Sequence, residues 1–316
     1  MRKTILALLA FLLLVVSAPA GEKPNVGLTF PSLRNEWYSF LDFAVKRKAK
    51  ELNSDVLSLE ANNEVSRQIS VVEDLITRQV DGILIVPIET KAVVPAVEAA
   101  NEAGIPVVTV DRNLDKDAGV DIIGHVGADN YAGGRNAGLY LVEELKKKNG
   151  APKGTVIELY GVVGAGTSIA RSSGFMDVIK QYPDIKVHSQ TASFMRSDAM
   201  KVMEDYILSI PHIDAVFAAN DDMILGAVEA IDASGKFKPE DLILIGFDAM
   251  PDALKAIRDG VIDATIEQHP IKQVSMGFEI LYNYITKGEK PAESVIFLEP
   301  IVITKENLDQ AEDKSI

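Results

Sequence analysis

Two doubly wound parallel-sheet α/β lobes are the fold class predicted by this 316-residue sequence. Three features predict it. Short apolar runs alternate with longer segments of helical spacing along nearly the whole chain. The runs are apolar throughout instead of alternating apolar with polar, as in parallel strands covered by helices on both faces. About ten such runs occur, too many for one compact open sheet, and no low-complexity linker separates them.

The elements follow in order. "NVGLTF" (25–30) reads as a strand and 35–52 as a helix. "DVLSLE" (55–60) is a strand, and 64–78 a helix with Ile69, Val72, Leu75 and Ile76 on one face. "GILIVP" (82–87) is a strand followed by a helix through Ala103, and Gly104 and Pro106 punctuate the strand "IPVVTV" (105–110). The rhythm resumes after "DIIGHVGADN" (121–130), which stands outside the alternation. Helix 130–148, strand 154–160, helix 168–180, strand 185–191 and helix 196–208 come next. Strand 213–219, helix 221–233, strand 241–247, helix 251–258, strand 262–267 and helix 270–287 precede a final strand, "VIFLEPIVI" (295–303).

Residues 1–20 read as a cleaved signal peptide. Arg2 and Lys3 precede the apolar run 5–16, and "APA" (18–20) supplies small residues at a cleavage site. The run is shorter than the roughly 20 residues a membrane span needs. The chain has no cysteine, so it carries neither a lipidated cysteine nor disulfides. A periplasmic location without a lipid anchor is the expectation. The formal charge is −14, or −16 once Arg2 and Lys3 are removed. So acidic a surface repels phosphate backbones, which argues against nucleic acid as a partner.

In open α/β sheets, ligands bind in the crevice outside the carboxyl ends of the strands. Here those ends are polar. "VVTV" runs into Asp111 and Arg112, "AVFAA" into Asn220, "LILIGF" into Asp248 and "DATIE" into Gln268. The strand ending at Phe30 leads to Asn35, Trp37 (the only tryptophan) and Tyr38. Asp and Asn after a strand also cap helices, a reading that suits Asn220 equally well. Caps do not use tryptophan, however. Planar polar ends bind neighbouring hydroxyls in pairs, and aromatic faces suit the C–H surface of a sugar ring. Asp111 and Asp248 with Arg112 and Arg171 are close to charge-balanced, which favours a neutral, hydroxyl-rich guest.

Other chemistries find no support. His125, His188, His212 and His269 are scattered without ligand spacing, so no metal site is expected. "GVVGAGTS" (161–168) lacks a phosphate-loop lysine, and Ile169 holds the third glycine position of a dinucleotide fingerprint. It reads as a glycine-rich turn into a helix. No nucleophile elbow or acid–base pair is present, so neither a cofactor nor an enzymatic activity is expected.

The motifs "VDRN" (110–113), "GADNYAGGRNAG" (127–138), "GTSIARSSGF" (166–175), "VFAANDDMILGA" (216–227), "IGFDAMPD" (245–252) and "ATIEQHP" (264–270) resemble, in this order, the periplasmic ribose-binding protein family. These are the substrate-binding subunits of sugar ABC importers and share their fold with LacI-type repressors. The resemblance covers nearly all of the chain after the signal. It implies a type I periplasmic binding protein fold, with two lobes joined by a three-segment hinge that closes on a monosaccharide. The lobes would comprise 21–128 with 269–297, and 129–268 with 298–316. It implies a site of Asn35, Trp37, Tyr38, Asp111, Arg112, Arg171, Asn220, Asp248 and Gln268, with Phe194 as an aromatic wall and Phe247 packing behind. An inner-membrane permease is the implied partner, and a chemoreceptor or sensor kinase is the alternative. A repressor would need a basic DNA-binding module where the signal peptide stands. The chain has Pro31 where the family's ribose binders carry a small polar residue, and Trp37 and Tyr38 where they carry phenylalanines. A hexose, another pentose or a cyclic polyol therefore fits as well as ribose.

Overall fold

The computed structural model describes residues 23–312, so the expected signal peptide lies outside the described residues. The first sheet contains β1 (Asn25–Phe30), β2 (Asp55–Glu60), β3 (Gly82–Ile85), β4 (Val107–Val110), β5 (Gly124–Ala128) and β11 (Val295–Leu298), in the order β11-β5-β4-β3-β1-β2. The second contains β6 (Gly154–Tyr160), β7 (Ile185–Thr191), β8 (Ala215–Ala218), β9 (Ile243–Ile245), β10 (Ala264–Glu267) and β12 (Ile301–Thr304), in the order β12-β10-β9-β8-β6-β7. All pairings are parallel except β10 with β12. Both sheets therefore wind in the same sense, and the strand order reverses beside β1 in one and beside β6 in the other.

Period-two burial explains why each sheet is covered twice. Leu84 and Val108 point to a cluster with α1 (Glu36–Glu51) and α9 (Pro270–Lys287). Their neighbours Ile83, Ile85 and Val107 point to α2 (Val65–Thr77) and α3 (Val94–Glu102) on the other face. In the second sheet, Phe217 and Ile245 face α4 (Asn130–Asn149) and α5 (Gly166–Ile179). Val216, Ala218 and Leu244 face α6 (Arg196–Ser209), α7 (Asp221–Ser234) and α8 (Pro251–Arg258).

The chain passes between the sheets three times, after β5, after β10 and between β11 and β12. These passages explain two corrections to the strand expectations. The single strand expected at 295–303 is two strands in different sheets, broken at Glu299 and Pro300. Proline has no backbone N–H to continue a ladder. The second correction is β5, inside the stretch that stood outside the alternation. Gly124, His125 and Gly127 hide its strand character, yet the strand is fully buried. His125 is accommodated by Thr109, 2.9 Å from its Nδ1. A Cβ on Gly127 would lie 2.7 Å from His125 Nε2, so only glycine fits beside that ring.

α4 and α5 approach through glycine. A Cβ on Gly174 would come within 2.0 Å of the Tyr131 carbonyl oxygen, and one on Gly134 within 2.0 Å of the Arg171 carbonyl oxygen. Backbone atoms cannot swing aside, so a side chain here must push the helices apart. Gly174→Ala is expected to destabilise the protein by about 1–3 kcal/mol, the usual range for overpacking. Urea unfolding would measure it, and a wild-type midpoint would show that the two helices are free to separate.

Candidate functional site

A cavity lies between the two sheets at the carboxyl ends of their strands. Ten of the eleven predicted residues line it. On the first lobe, Asn35 caps α1, its Oδ1 accepting from the Trp37 N–H at 2.9 Å. Trp37 is only 5% exposed and Tyr38 4%, and both also belong to the apolar cluster beneath α1 and α9. The aromatic pair thus serves core and cavity together. The Trp37 side chain hydrogen-bonds the Asp111 carboxylate. Arg112 donates from Nη1 to the Ile88 carbonyl at 3.1 Å, and its guanidinium lies 6.0 Å from the Tyr38 ring centroid.

On the second lobe, the buried Arg171 guanidinium is the organiser. It donates from Nε to Asn130 Oδ1 at 2.8 Å, and from Nη1 to the Ala219 carbonyl at 2.6 Å and to Asp248 Oδ1 at 3.3 Å. Its plane rests 3.8 Å from the centre of Phe247, while Phe194 stands 5.9 Å away. Phe247 is the predicted residue that does not line the cavity; it packs behind, fully buried. Asn220 combines both of its expected roles. Its Oδ1 caps α7 by accepting from Met223 N–H at 3.0 Å, and its Nδ2 reaches the Phe194 carbonyl at 3.4 Å. Gln268, on the passage from β10 to α9, donates from Nε2 to Asp248 Oδ1.

Three of the residues brought here hold left-handed backbone: Asp111 (φ 62°), Phe194 (φ 60°) and Asp248 (φ 123°). Non-glycine residues in that region persist only where surrounding contacts hold them. For Asp248 those contacts come from Asp221, which the sequence reading did not single out. Asp221 accepts from Met250 N–H at 2.8 Å and from Thr265 Oγ1 at 2.7 Å, and Thr265 Oγ1 in turn accepts from Ala249 N–H at 3.2 Å. In sequence it looks like an ordinary acidic residue in the first turn of α7. Thr167 is a second residue missed, although its motif was noted; it lines the cavity from the start of α5.

Burial dominates the electrostatics. It raises the Asp248 carboxyl to about 7, against the attraction of Arg171. Burial also raises Asp111, opposed by Arg112, Arg171 and the Trp37 hydrogen bond. Arg171 is lowered by burial. For Arg112 burial acts downward too, but Tyr38, Asp111 and Asp248 outweigh it and the group is raised. When both carboxyls are ionised, two guanidiniums face two carboxylates and the cavity has no surplus charge for an ionic guest. Arg112 Nε and Gln268 Oε1 are buried without a hydrogen-bond partner among the described residues. They are one donor and one acceptor, which a hydroxyl can satisfy from either side.

Residues 26–290 match the family described as the periplasmic binding protein domain. The chain belongs to the periplasmic binding protein family. It is 39% identical over 277 residues to the ribose import binding protein of Bacillus subtilis, covering 84% of this chain and 87% of that protein. Among solved structures, a periplasmic solute-binding protein from Actinobacillus succinogenes with bound D-allose matches with a TM-score of 0.84 at 31% identity. That match covers 91% of this chain and 99% of the other. The Caulobacter myo-inositol binding protein, bound to myo-inositol, matches with a TM-score of 0.83 at 30% identity, covering 94% and 98%. The two sheets line the cavity from either side, and three passages of chain join them.

The raised Asp248 carboxyl predicts a pH dependence. Its folded-state pKa of about 7 lies above the ordinary 3.8, so between these values the folded chain binds more protons than the unfolded one. Stability should therefore fall as pH rises from about 4 to about 7. Glu267, also raised to about 7 by burial, acts in the same direction. Melting temperatures of Asp248→Asn measured across this window should show a shallower decline than wild type. An unaltered slope would mean that Asp248 is ionised throughout.

Proposed function

We propose that this protein captures one neutral monosaccharide or cyclic polyol between its lobes and delivers it to the membrane permease of an ABC importer. The observation that carries this reading is the cavity between the lobes, lined by aromatic and bidentate polar side chains of both, with two guanidiniums beside two carboxyls. Relatives with bound D-allose and myo-inositol support the same class of guest, and the Bacillus subtilis relative supports import as its purpose.

The mechanism requires no covalent chemistry. Asn35, Trp37, Tyr38, Asp111 and Arg112 meet the guest from one lobe, and Thr167, Arg171, Phe194, Asn220 and Asp248 from the other. A guest reaching both sets binds the closed state better than an open one, and so shifts the population towards closure. Gln268 lies on a hinge passage and reads the guest from there. The permease then recognises a shape that exists mainly when the cavity is filled.

A thermal-shift screen over pentoses, hexoses and inositols tests the ligand class. A guest at a hundred times its Kd adds about 2.7 kcal/mol of stability. The fluorescence of Trp37, the only tryptophan, should change with the same compound. Asp248→Ala and Arg171→Ala should each weaken binding by about 2–5 kcal/mol, because each leaves a buried charged partner alone. Near-wild-type affinity in both would remove the pair from the site, and a screen without any shift would sink the sugar reading.

A further inference from the structure

The start of α9 is unusual. It lies on the passage out of β10, its N-cap is His269, and that residue makes no side-chain cap hydrogen bond. A helix start leaves backbone N–H groups unpaired, and a carboxylate is the strongest acceptor for them. Here the carboxylate arrives from the far end of the chain. Glu312 Oε2 accepts from the Ile271 N–H at 2.7 Å and the Lys272 N–H at 3.3 Å. Its neighbour Ala311 is fully buried in the second lobe's core, whereas α9 packs on β3, β4 and β5 of the first. Glu312 thus bridges the lobes at the hinge.

The remaining contacts close a ring. Glu312 donates its own N–H to Glu267 Oε2 at 3.0 Å, and Glu267 Oε1 accepts from the His269 N–H at 2.7 Å. His269 Nδ1 faces Glu312 Oε1 at 3.5 Å. His269 itself is left-handed, with φ 60°. Between Glu267 and His269 sits Gln268, whose side chain enters the cavity and whose carbonyl accepts from Gln273 Nε2 at 2.8 Å. The ring therefore grips both neighbours of a cavity residue without touching the cavity.

We propose that Glu312 and His269 form a pH-responsive clasp, which ties the C-terminal segment to the hinge and positions Gln268; its effect on affinity rests on the sugar-binding reading above. The groups facing His269 are Glu312 from the C-terminal segment, Glu267 from β10 and Lys272 from α9. The Glu312 hydrogen bond, the largest influence, raises the imidazole above its ordinary 6.5. A histidine raised in this way contributes fully below its free value, and the contribution is lost as pH rises through the folded-state value. The clasp tightens in mild acid and slackens in mild base.

Two measurements on the full chain test it. The first is hydrogen exchange of the Ile271 and Lys272 amides without ligand, at pH 6 and pH 8, expressed as protection factors. Wild type should lose protection at the higher pH. Glu312→Ala should lose about tenfold or more at both. Glu312→Gln keeps an oxygen acceptor, so it should retain much of the protection but lose most of the pH dependence, keeping only the part that Glu267 contributes. His269→Asn, which tolerates the left-handed backbone, should lose the same part. Equal protection in wild type and Glu312→Ala would overturn the clasp.

The second is affinity for D-ribose, D-allose and myo-inositol at the same two pH values. Glu312→Ala should bind about three- to tenfold more weakly, with Glu312→Gln restoring most of the loss at pH 8. Altered exchange with unaltered affinity would overturn the positioning of Gln268. If wild type binds none of the three, the choice of guest fails, while the exchange measurement still decides the clasp.

Discussion

A guanidinium taken out of water must find acceptors, because an unpaired buried charge costs several kcal/mol. Arg171 meets that demand with the start of α4 through Asn130, the exit of β8 through Ala219 and the exit of β9 through Asp248. Phe247 supports it from beneath, and the glycine contact at Gly134 lets α4 come close enough to supply Asn130. One cation thereby fixes the relative positions of three second-lobe elements. Asp248 extends the arrangement to the hinge by accepting from Gln268. The cavity wall, the strained turn at Asp248 and the passage into α9 all depend on satisfying this one charge.

The first lobe answers with a smaller version of the same solution. Asp111 leaves β4 in left-handed backbone, accepts from Trp37 and sits beside Arg112. Each lobe brings a carboxyl, a guanidinium and aromatic rings, so each side of the cavity is nearly neutral when its carboxyl is ionised. That matters for a protein that must open. Neither face is left with a large unbalanced charge when the lobes part, and neither offers a strong site for a stray ion. On the proposed function, hydroxyls bridging the two halves would supply what the halves lack, including partners for Arg112 Nε and Gln268 Oε1.

The hinge carries more polar structure than its length suggests. Left-handed His269, buried Glu267 and the incoming Glu312 are hydrogen-bonded together, and the bonds from Ile271 and Lys272 to Glu312 join the two lobes. Met250, from the β9 exit of the second lobe, packs into the first lobe's apolar cluster beside Trp37. Closure therefore joins apolar and polar contacts on both sides of the cavity, and the guest completes a surface already partly matched.

Much of this was legible in the sequence because burial imposes local patterns. Apolar runs such as "VVTV" and "AVFAA" mark strands covered on both faces, and the residues that follow them must lie at the ligand-binding edge. Asp111, Asn220, Asp248 and Gln268 were readable for that reason. Strand β5 was not, since Gly127 and His125 make sense only against Asp111 and Thr109 across the sheet. The run 295–303 looked like one strand because nothing local reveals that its halves pair with different sheets. Asp221 and Glu312 look like ordinary surface acids, and their partners lie 29 and 41 residues away along the chain. Sequence alone determined the two-lobed winding and the edge where ligand groups gather, because periodicity and strand exits are short-range. Tertiary structure decided which charges pair, which residues brace them and what crosses the hinge, because those depend on contacts between distant parts of the chain.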